Sequence, residues 1–333
     1  MFGGLLIFVA VVAAYEQIIT EEAPEGYEEF AQGVEKRRFA DTEVSKVAWA
    51  HDPNEHLLNP MQMKVYDGRL YVWDFADTQL KVFGLSGRHV VPIGQGKGKA
   101  PGELQSLMDF FVRDGRVWVL DGHERRISIF NSNGEHVEQI LLKTEGTPYR
   151  IAPLGKHLII RQLAPTELFL EVDTTGKVHQ RFGGMNAFMD RFDERNPLAF
   201  SGYLMTIGQR VLFGTSDASY LHYFDTEGNM MRTVRTIDEQ PYGGPPGQRE
   251  GSGMRFSPPK PPIRYRAFTI QGDTLKMNAA DYENRRAIID YYTIDGQYLE
   301  SVLLPEPATV AYPYHGTVIT AQEATLKKYR IVR

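Results

Sequence analysis

Residues 67–87 read DGRLYVWDFADTQLKVFGLSG, and residues 114–134 read DGRVWVLDGHERRISIFNSNG. Aligned at Asp67 and Asp114, the two stretches share a plan. Each has an Asp-Gly pair, a short apolar run, a polar gap, a second β-rich run and a closing glycine. Asp-Gly supplies the positive φ that a tight strand–strand turn needs. In Leu70–Trp73 and in Val117–Leu120 consecutive residues are apolar, so both faces of the strand are apolar. That suits strands covered on two sides rather than one.

The plan recurs down the chain. Gly155 opens a run KHLIIR, with LFLEVDTTG closing at Gly176. Gly208 opens QRVLFG, with LHYFDTEG closing at Gly228. Gly272 opens DTLKMN, with IIDYYTIDG closing at Gly296, and Gly316 opens TVITA before the chain ends in LKKYRIVR. The paired glycines lie 19, 19, 21, 20 and 24 residues apart. Repeated four-stranded units of this size are what propellers are built from. The spacing predicts an all-β, six-bladed β-propeller over residues 35–333.

The sixth unit lacks an outer strand, and Glu35–Trp49 lacks a repeat partner. Pairing this N-terminal segment with Lys327–Val332 would complete the last blade and close the ring, leaving no open blade face. Residues 16–34 then form an acidic lead-in. Residues 241–262 hold seven prolines and five glycines. Such a composition cannot pack a core, and it predicts a surface insertion between blades four and five.

Phe2–Tyr15 carries no charge and Glu16 begins an acidic stretch. The run is short for a spanning helix and fits the apolar core of an export signal, with Val12-Ala13-Ala14 as a small-residue cleavage site. The basic region expected before such a core is missing, which places the true start upstream or makes residues 1–15 a degenerate anchor. The expected location is exported, periplasmic or in the cell envelope. An uncleaved segment would act as a membrane tether.

The net charge is −5, and lysines and arginines are dispersed. A nucleic-acid surface would show a basic stripe. The chain has no cysteine, which removes disulfides, thiolate metal sites and cysteine nucleophiles. No cofactor is expected, and the chain reads as a monomer.

Ile93–Leu104, IGQGKGKAPGEL, is a glycine-rich run followed by Pro-Gly-Glu and an apolar residue. With the D-G-x-[LV]-x-V pattern, it resembles NHL-type repeats. It is most similar to the six-bladed propellers of exported bacterial proteins of Bacteroidetes type. That resemblance implies binding or envelope roles more often than catalysis. Gly94–Lys99 is not a phosphate loop, because Gly98-Lys99 is followed by Ala100-Pro101 with no hydroxyl and no helix.

A propeller gathers the starts of its innermost strands around one channel. Those segments offer Asn59, Asp109, Tyr149, Arg150, Tyr203, Arg264, Arg266 and Tyr314, with Tyr265 and Tyr312 beside them. Arginines among tyrosines suit an anionic or sugar-like ligand, through fork hydrogen bonds and stacking. Local pairing that merely caps the channel is the other reading. A protein partner is the alternative occupant of this face. A metal-dependent lactonase or lyase would need a divalent ion held by carboxylates and an asparagine. Asn59 and Asp109 fit two such places, and no third carboxylate falls at a matching position. His51, Asp52 and His56 form a separate, weaker set of metal-capable side chains.

Overall fold

Asp67 and Gly68 take positive φ, 48° and 71°, and Asp114 and Gly115 repeat this at 52° and 68°. Two successive left-handed residues make the turn whose twist matches that of paired strands. The computed structural model describes residues 28–49, 57–163, 167–184, 201–216, 218–238, 248–250, 253–255, 263–281, 285–323 and 325–332. Among these residues no helix is long and apolar enough to cross a membrane.

The chain enters through β1 (Glu28–Phe30) and β2 (Glu43–Val47). Blade one is β3 (Pro60–Tyr66), β4 (Arg69–Asp74), β5 (Gln79–Gly84) and β6 (His89–Ile93). Blade two is β7 (Leu107–Arg113), β8 (Arg116–Asp121), β9 (Arg126–Asn131) and β10 (His136–Leu141). Blade three is β11 (Thr147–Leu154), β12 (His157–Leu163), β13 (Glu167–Val172) and β14 (Val178–Gly184). Blade four is β15 (Gly202–Ile207), β16 (Arg210–Thr215), β17 (Tyr220–Phe224) and β18 (Met230–Arg235). A short hairpin, β19 (Gln248–Glu250) with β20 (Gly253–Arg255), lies within the proline- and glycine-rich insertion. Blade five is β21 (Ile263–Gln271), β22 (Thr274–Asp281), β23 (Arg286–Thr293) and β24 (Tyr298–Leu303). Blade six is β25 (Val310–Tyr314), β26 (Thr317–Gln322) and β27 (Thr325–Val332), with β2 as its fourth strand. The six-bladed ring expected from the repeats is therefore present, and its closure runs from Glu43 opposite Val332 to Val47 opposite Lys328.

Six apolar clusters hold the ring, each lying mainly between two neighbouring blades. Tyr71 and Trp73 of blade one meet Phe110 and Val119 of blade two. Around the ring, Val310 and Ile319 of blade six meet Met63 and Val72 of blade one. A side chain such as Val72 or Val119 has no exposed surface. Each such burial contributes about 1.5–3 kcal/mol, and none of it is available until the neighbouring blade is in place.

The outer turns add backbone-to-backbone closeness. Asp173 Oδ1 accepts from the Thr175 and Lys177 amides at 2.8 and 3.1 Å, and Asp225 repeats this with Glu227 and Asn229. These bonds hold Gly176 and Gly228 at φ 82° and 79°. A Cβ on Gly176 would collide with the Leu141 carbonyl oxygen of the preceding blade.

The acidic lead-in ends differently from expectation. Glu28–Phe30 is a fifth, parallel strand on blade four, along Arg232–Val234. From there the chain crosses to blade five. Gln32 Nε2 donates to the Arg235 and Gly296 carbonyls, and its Oε1 accepts from the Tyr298 amide at 2.8 Å. Arg37 then binds two carboxylates, Asp238 through both terminal nitrogens and Asp290 through Nε and Nη2 at 2.9 and 2.7 Å. Asp290 is fully buried and also accepts from Ser301 Oγ at 2.6 Å. Burial opposes the Arg37 charge, but the attraction and hydrogen bonds of Asp290, with those of Asp238, outweigh it and raise its pKa. Burial pushes Asp290 up, against the pull of Arg37.

Three substitutions test these contacts. Removing one partner of a buried pair leaves charge uncompensated, so Arg37→Met should lower unfolding stability by about 3–5 kcal/mol in urea titration. Gly176→Ala should cost about 3 kcal/mol, from the left-handed backbone plus the collision. Gly155→Ala should cost only about 1–2 kcal/mol, because φ there is also positive but nothing lies within 4 Å.

Candidate functional site

Six inner strands, β3, β7, β11, β15, β21 and β25, face the axis. In blades one to three the entry loop is held by a residue at or next to the end of the second strand. Asp74 accepts from the Leu58 and Asn59 amides at 2.7 and 2.8 Å, and Asp121 from the Gln105 and Ser106 amides at 2.9 and 3.0 Å. In blade three Gln162 does the same for Glu145 and Gly146.

Just inside those entries, four inner strands shift register by one residue. The shifts fall between Pro60 and Gln62, Leu107 and Asp109, Pro148 and Arg150, and Tyr265 and Ala267. The extra residues are Met61, Met108, Tyr149 and Arg266. A bulge bends its strand and re-aims side chains, so two consecutive residues can serve one face. Met61 with Gln62, Tyr149 with Arg150, and Tyr265 with Arg266 all line one cavity of about 210 Å³. Trp73, Ser201, Tyr203, Ser216 and Arg264 complete its wall. Among the described lining residues three are arginines and none is a carboxylate.

Arg150 is tightly constrained. Its Nε donates to the Gly202 carbonyl at 2.8 Å. Nη1 donates to Met108 and Tyr149 carbonyls at 3.0 and 3.1 Å, and Nη2 to the Tyr149 phenol at 3.3 Å. Its guanidinium lies 4.1 Å from the Tyr149 ring centre and 5.1 Å from that of Tyr203. Burial works against its charge, yet Tyr149, Asp109 and Tyr203 raise its pKa. Arg150 in turn lowers the Tyr149 pKa against burial, with help from Arg161 and a hydrogen bond from Ser201. Burial pushes Tyr203 up to about 12.

The same inner shell stitches every blade to the next. Lys64 donates to Asp109 at 2.7 Å, and Asp109 accepts from the Ile151 amide at 3.1 Å. Arg150 reaches Gly202, and the Tyr203 phenol donates to the Arg266 carbonyl. Asn278 accepts from the Ala311 amide at 3.0 Å, and the Tyr312 phenol bonds the Val65 backbone. These contacts join blades one to two, two to three, three to four, four to five, five to six and six to one.

The structure thus divides the expected set. Tyr149, Arg150, Tyr203, Arg264 and Arg266 converge on the cavity, with Tyr265. Asp109, Asn59 and Tyr314 are not in its wall. Asp109 is buried, and both its oxygens are committed, to Lys64 and the Phe110 amide on one side and to Ile151 on the other. Asn59 is exposed and engaged through its backbone by Asp74 and Phe75. Tyr314 packs on the apolar seam between blades six and one. The Asn59–Asp109 pair of the lactonase-like reading is therefore not assembled around the cavity. Among the described residues no group of three His, Asp or Glu side chains is placed to hold a metal ion. His51, Asp52 and His56 lie outside the described residues.

Gln62 and Trp73 were not singled out from the sequence. Trp73 reads as one more residue of a strand apolar on both faces. Gln62 reaches the wall because of the bulge at Met61, which leaves no periodic trace.

Residues 53–145, ending just beyond blade two, match the model of the DUF5128 family, described as a 6-bladed beta-propeller. No curated protein matches the chain. Among solved structures, a protein of Bacteroides fragilis described as exported is 13% identical, with TM-score 0.59, covering 92% of this chain and 99% of its own. A member of the duf4221 family from Bacteroides vulgatus has the same identity and TM-score, over 89% and 99% of the two chains. Virginiamycin B lyase from Staphylococcus aureus is 14% identical with TM-score 0.54, over 88% and 100%. At these identities the likeness is one of fold.

Tyr149 should ionise below the ordinary tyrosine range as the pH is raised. Near-ultraviolet titration should show its tyrosinate appearing below the ordinary value of 10, and Tyr149→Phe should remove that component. A depressed acid pKa favours the folded state above it, so its contribution is present at alkaline pH and lost as the pH falls.

Proposed function

We propose that the protein is an exported, non-catalytic binding propeller whose channel mouth holds a small anionic ligand. The observation that carries this reading is the wall of Arg150, Arg264 and Arg266, with no carboxylate among the described lining residues. Guanidinium groups are always charged and present planar donors that match carboxylate or phosphate oxygens. Partly sheltered from water, they attract an anion more strongly than they would on an open surface. The rings of Tyr149 and Tyr203 hold Arg150 in place by stacking. The ligand therefore meets a pre-formed site and orders little on binding.

Export is supported by the uncharged run Phe2–Tyr15. It is also in keeping with the fold shared with the exported Bacteroides fragilis protein. A ligand-binding site at the end of a rigid ring suits a receptor or scaffold subunit of the envelope.

The test is thermal unfolding with a panel of small carboxylates, phosphates and acidic sugars. A binder at a hundredfold excess over its Kd should add about 2.7 kcal/mol, a rise of roughly 5 °C for a domain of this size. Arg266→Ala should abolish the rise, while the ring contact at that position, made through the Arg266 carbonyl, remains. The rise should also shrink as the pH passes the lowered Tyr149 pKa, because a tyrosinate beside Arg150 repels the anion. No stabilisation by any anion, or an undiminished one in Arg266→Ala, would remove this site.

A further inference from the structure

We infer that the anion held at the channel mouth is an amphipathic organic acid, a carboxylate joined to an apolar group of at least ring size. This rests on the reading of the cavity as an anion site and adds what lies beside the charge. The wall is not uniform around the ring. Blades three to five supply Tyr149, Arg150, Tyr203, Arg264 and Arg266. Blade one supplies Met61 and Trp73, and among the described residues Gln62 is its one polar contribution. One pole of the cavity is therefore cationic and the other largely apolar.

The apolar pole continues beyond the wall. The Phe75 ring centre lies 6.2 Å from that of Trp73, and Phe75 is 58% exposed. Leu58 is 62% exposed and belongs to the same end of blade one. Its amide is held by Asp74, and the Phe75 amide donates to the Asn59 carbonyl at 2.9 Å. A lone exposed apolar side chain needs no explanation. This pair is set apart by its place. The other exposed large apolar side chains among the described residues lie on the third and fourth strands of blades or on the N-terminal segment. Leu58 and Phe75 lie where an inner strand begins, beside the arginine-lined cavity. Small-ligand sites divide their work in this way, with polar groups orienting the ligand and apolar contact adding affinity. A wholly hydrophilic anion leaves Phe75 and Leu58 in water. An apolar group on the carboxylate covers them while the arginines hold the charge. A tenfold gain in affinity, about 1.4 kcal/mol, needs only about 55 Å² of apolar surface removed from water. That is less than an aromatic side chain buries in a core.

The decisive measurement is calorimetric titration of the wild-type protein with four probes: 3-phenylpropionate, its uncharged amide, acetate and D-glucuronate. The arylcarboxylate should bind about tenfold or more tighter than each of the other three. Phe75→Ser, at an exposed position outside the packed seams, should bring it down toward acetate. Acetate or glucuronate binding as tightly as 3-phenylpropionate would overturn the amphipathic assignment and leave the anion site standing. So would an undiminished affinity in Phe75→Ser. The amide binding as tightly as the acid, or no charged probe binding at all, would remove the anion site itself. The wild-type panel decides without any variant.

Discussion

Strands such as Leu70–Trp73 have no face left for water. Each blade buries one side against the blade before it and the other against the blade after. A chain of such units is stable only when the last meets the first, because an open end would expose two apolar faces at once. Ring closure is thus the constraint on which the other contacts depend. The chain meets it twice. At the outside, β2 from the N-terminal segment completes the sixth sheet along β27. At the inside, a circuit of polar contacts runs through all six blade junctions, from Lys64–Asp109 round to Tyr312–Val65.

The N-terminal segment does more than supply a strand. It lies along blade four, crosses blade five and ends in blade six, so it fixes three blades relative to one another. Its anchor is Arg37, held between Asp238 after blade four and Asp290 inside blade five. The surface pairs Arg232–Glu28 and Arg235–Glu29 contribute little by comparison, since exposed ion pairs are worth about 0–1 kcal/mol. Buried charge is different. It does not necessarily stabilise more than apolar packing would, but it permits one arrangement only, because any other leaves a carboxylate unpaired.

The channel mouth shows how structural and recognition demands share residues. Arg150 braces blades two, three and four through carbonyl oxygens and also supplies charge to the cavity. Tyr203 ties blades four and five and forms part of the wall. Such residues are poor probes of binding, since their loss disturbs the ring. Arg266 differs, because its backbone carries the ring contact while its side chain belongs to the wall. Asp109, which the sequence offers as a ligand-facing carboxylate, is consumed wholly by bracing. It acts on Arg150 from outside the cavity wall, through charge alone.

By itself the sequence determined the elements that depend on local chemistry. Asp67-Gly68 and Asp114-Gly115 declare their turns because few residue pairs tolerate two positive φ values. The regular glycine spacing declares the blade count, and the missing outer strand of the last unit declares its donor. It also delivered five of the eight expected channel residues, since the start of an inner strand has only one place to go in a propeller. Tertiary structure alone decided the remainder. A one-residue bulge at Met61 or Tyr149 reverses which side chains face the axis, and its cause is the register between strands, which no periodicity encodes. Which polar residues are spent on neighbours, as Asp109 is, and which remain at the wall, as Gln62 does, depends on the distance between blades. That distance is fixed only when the ring is closed.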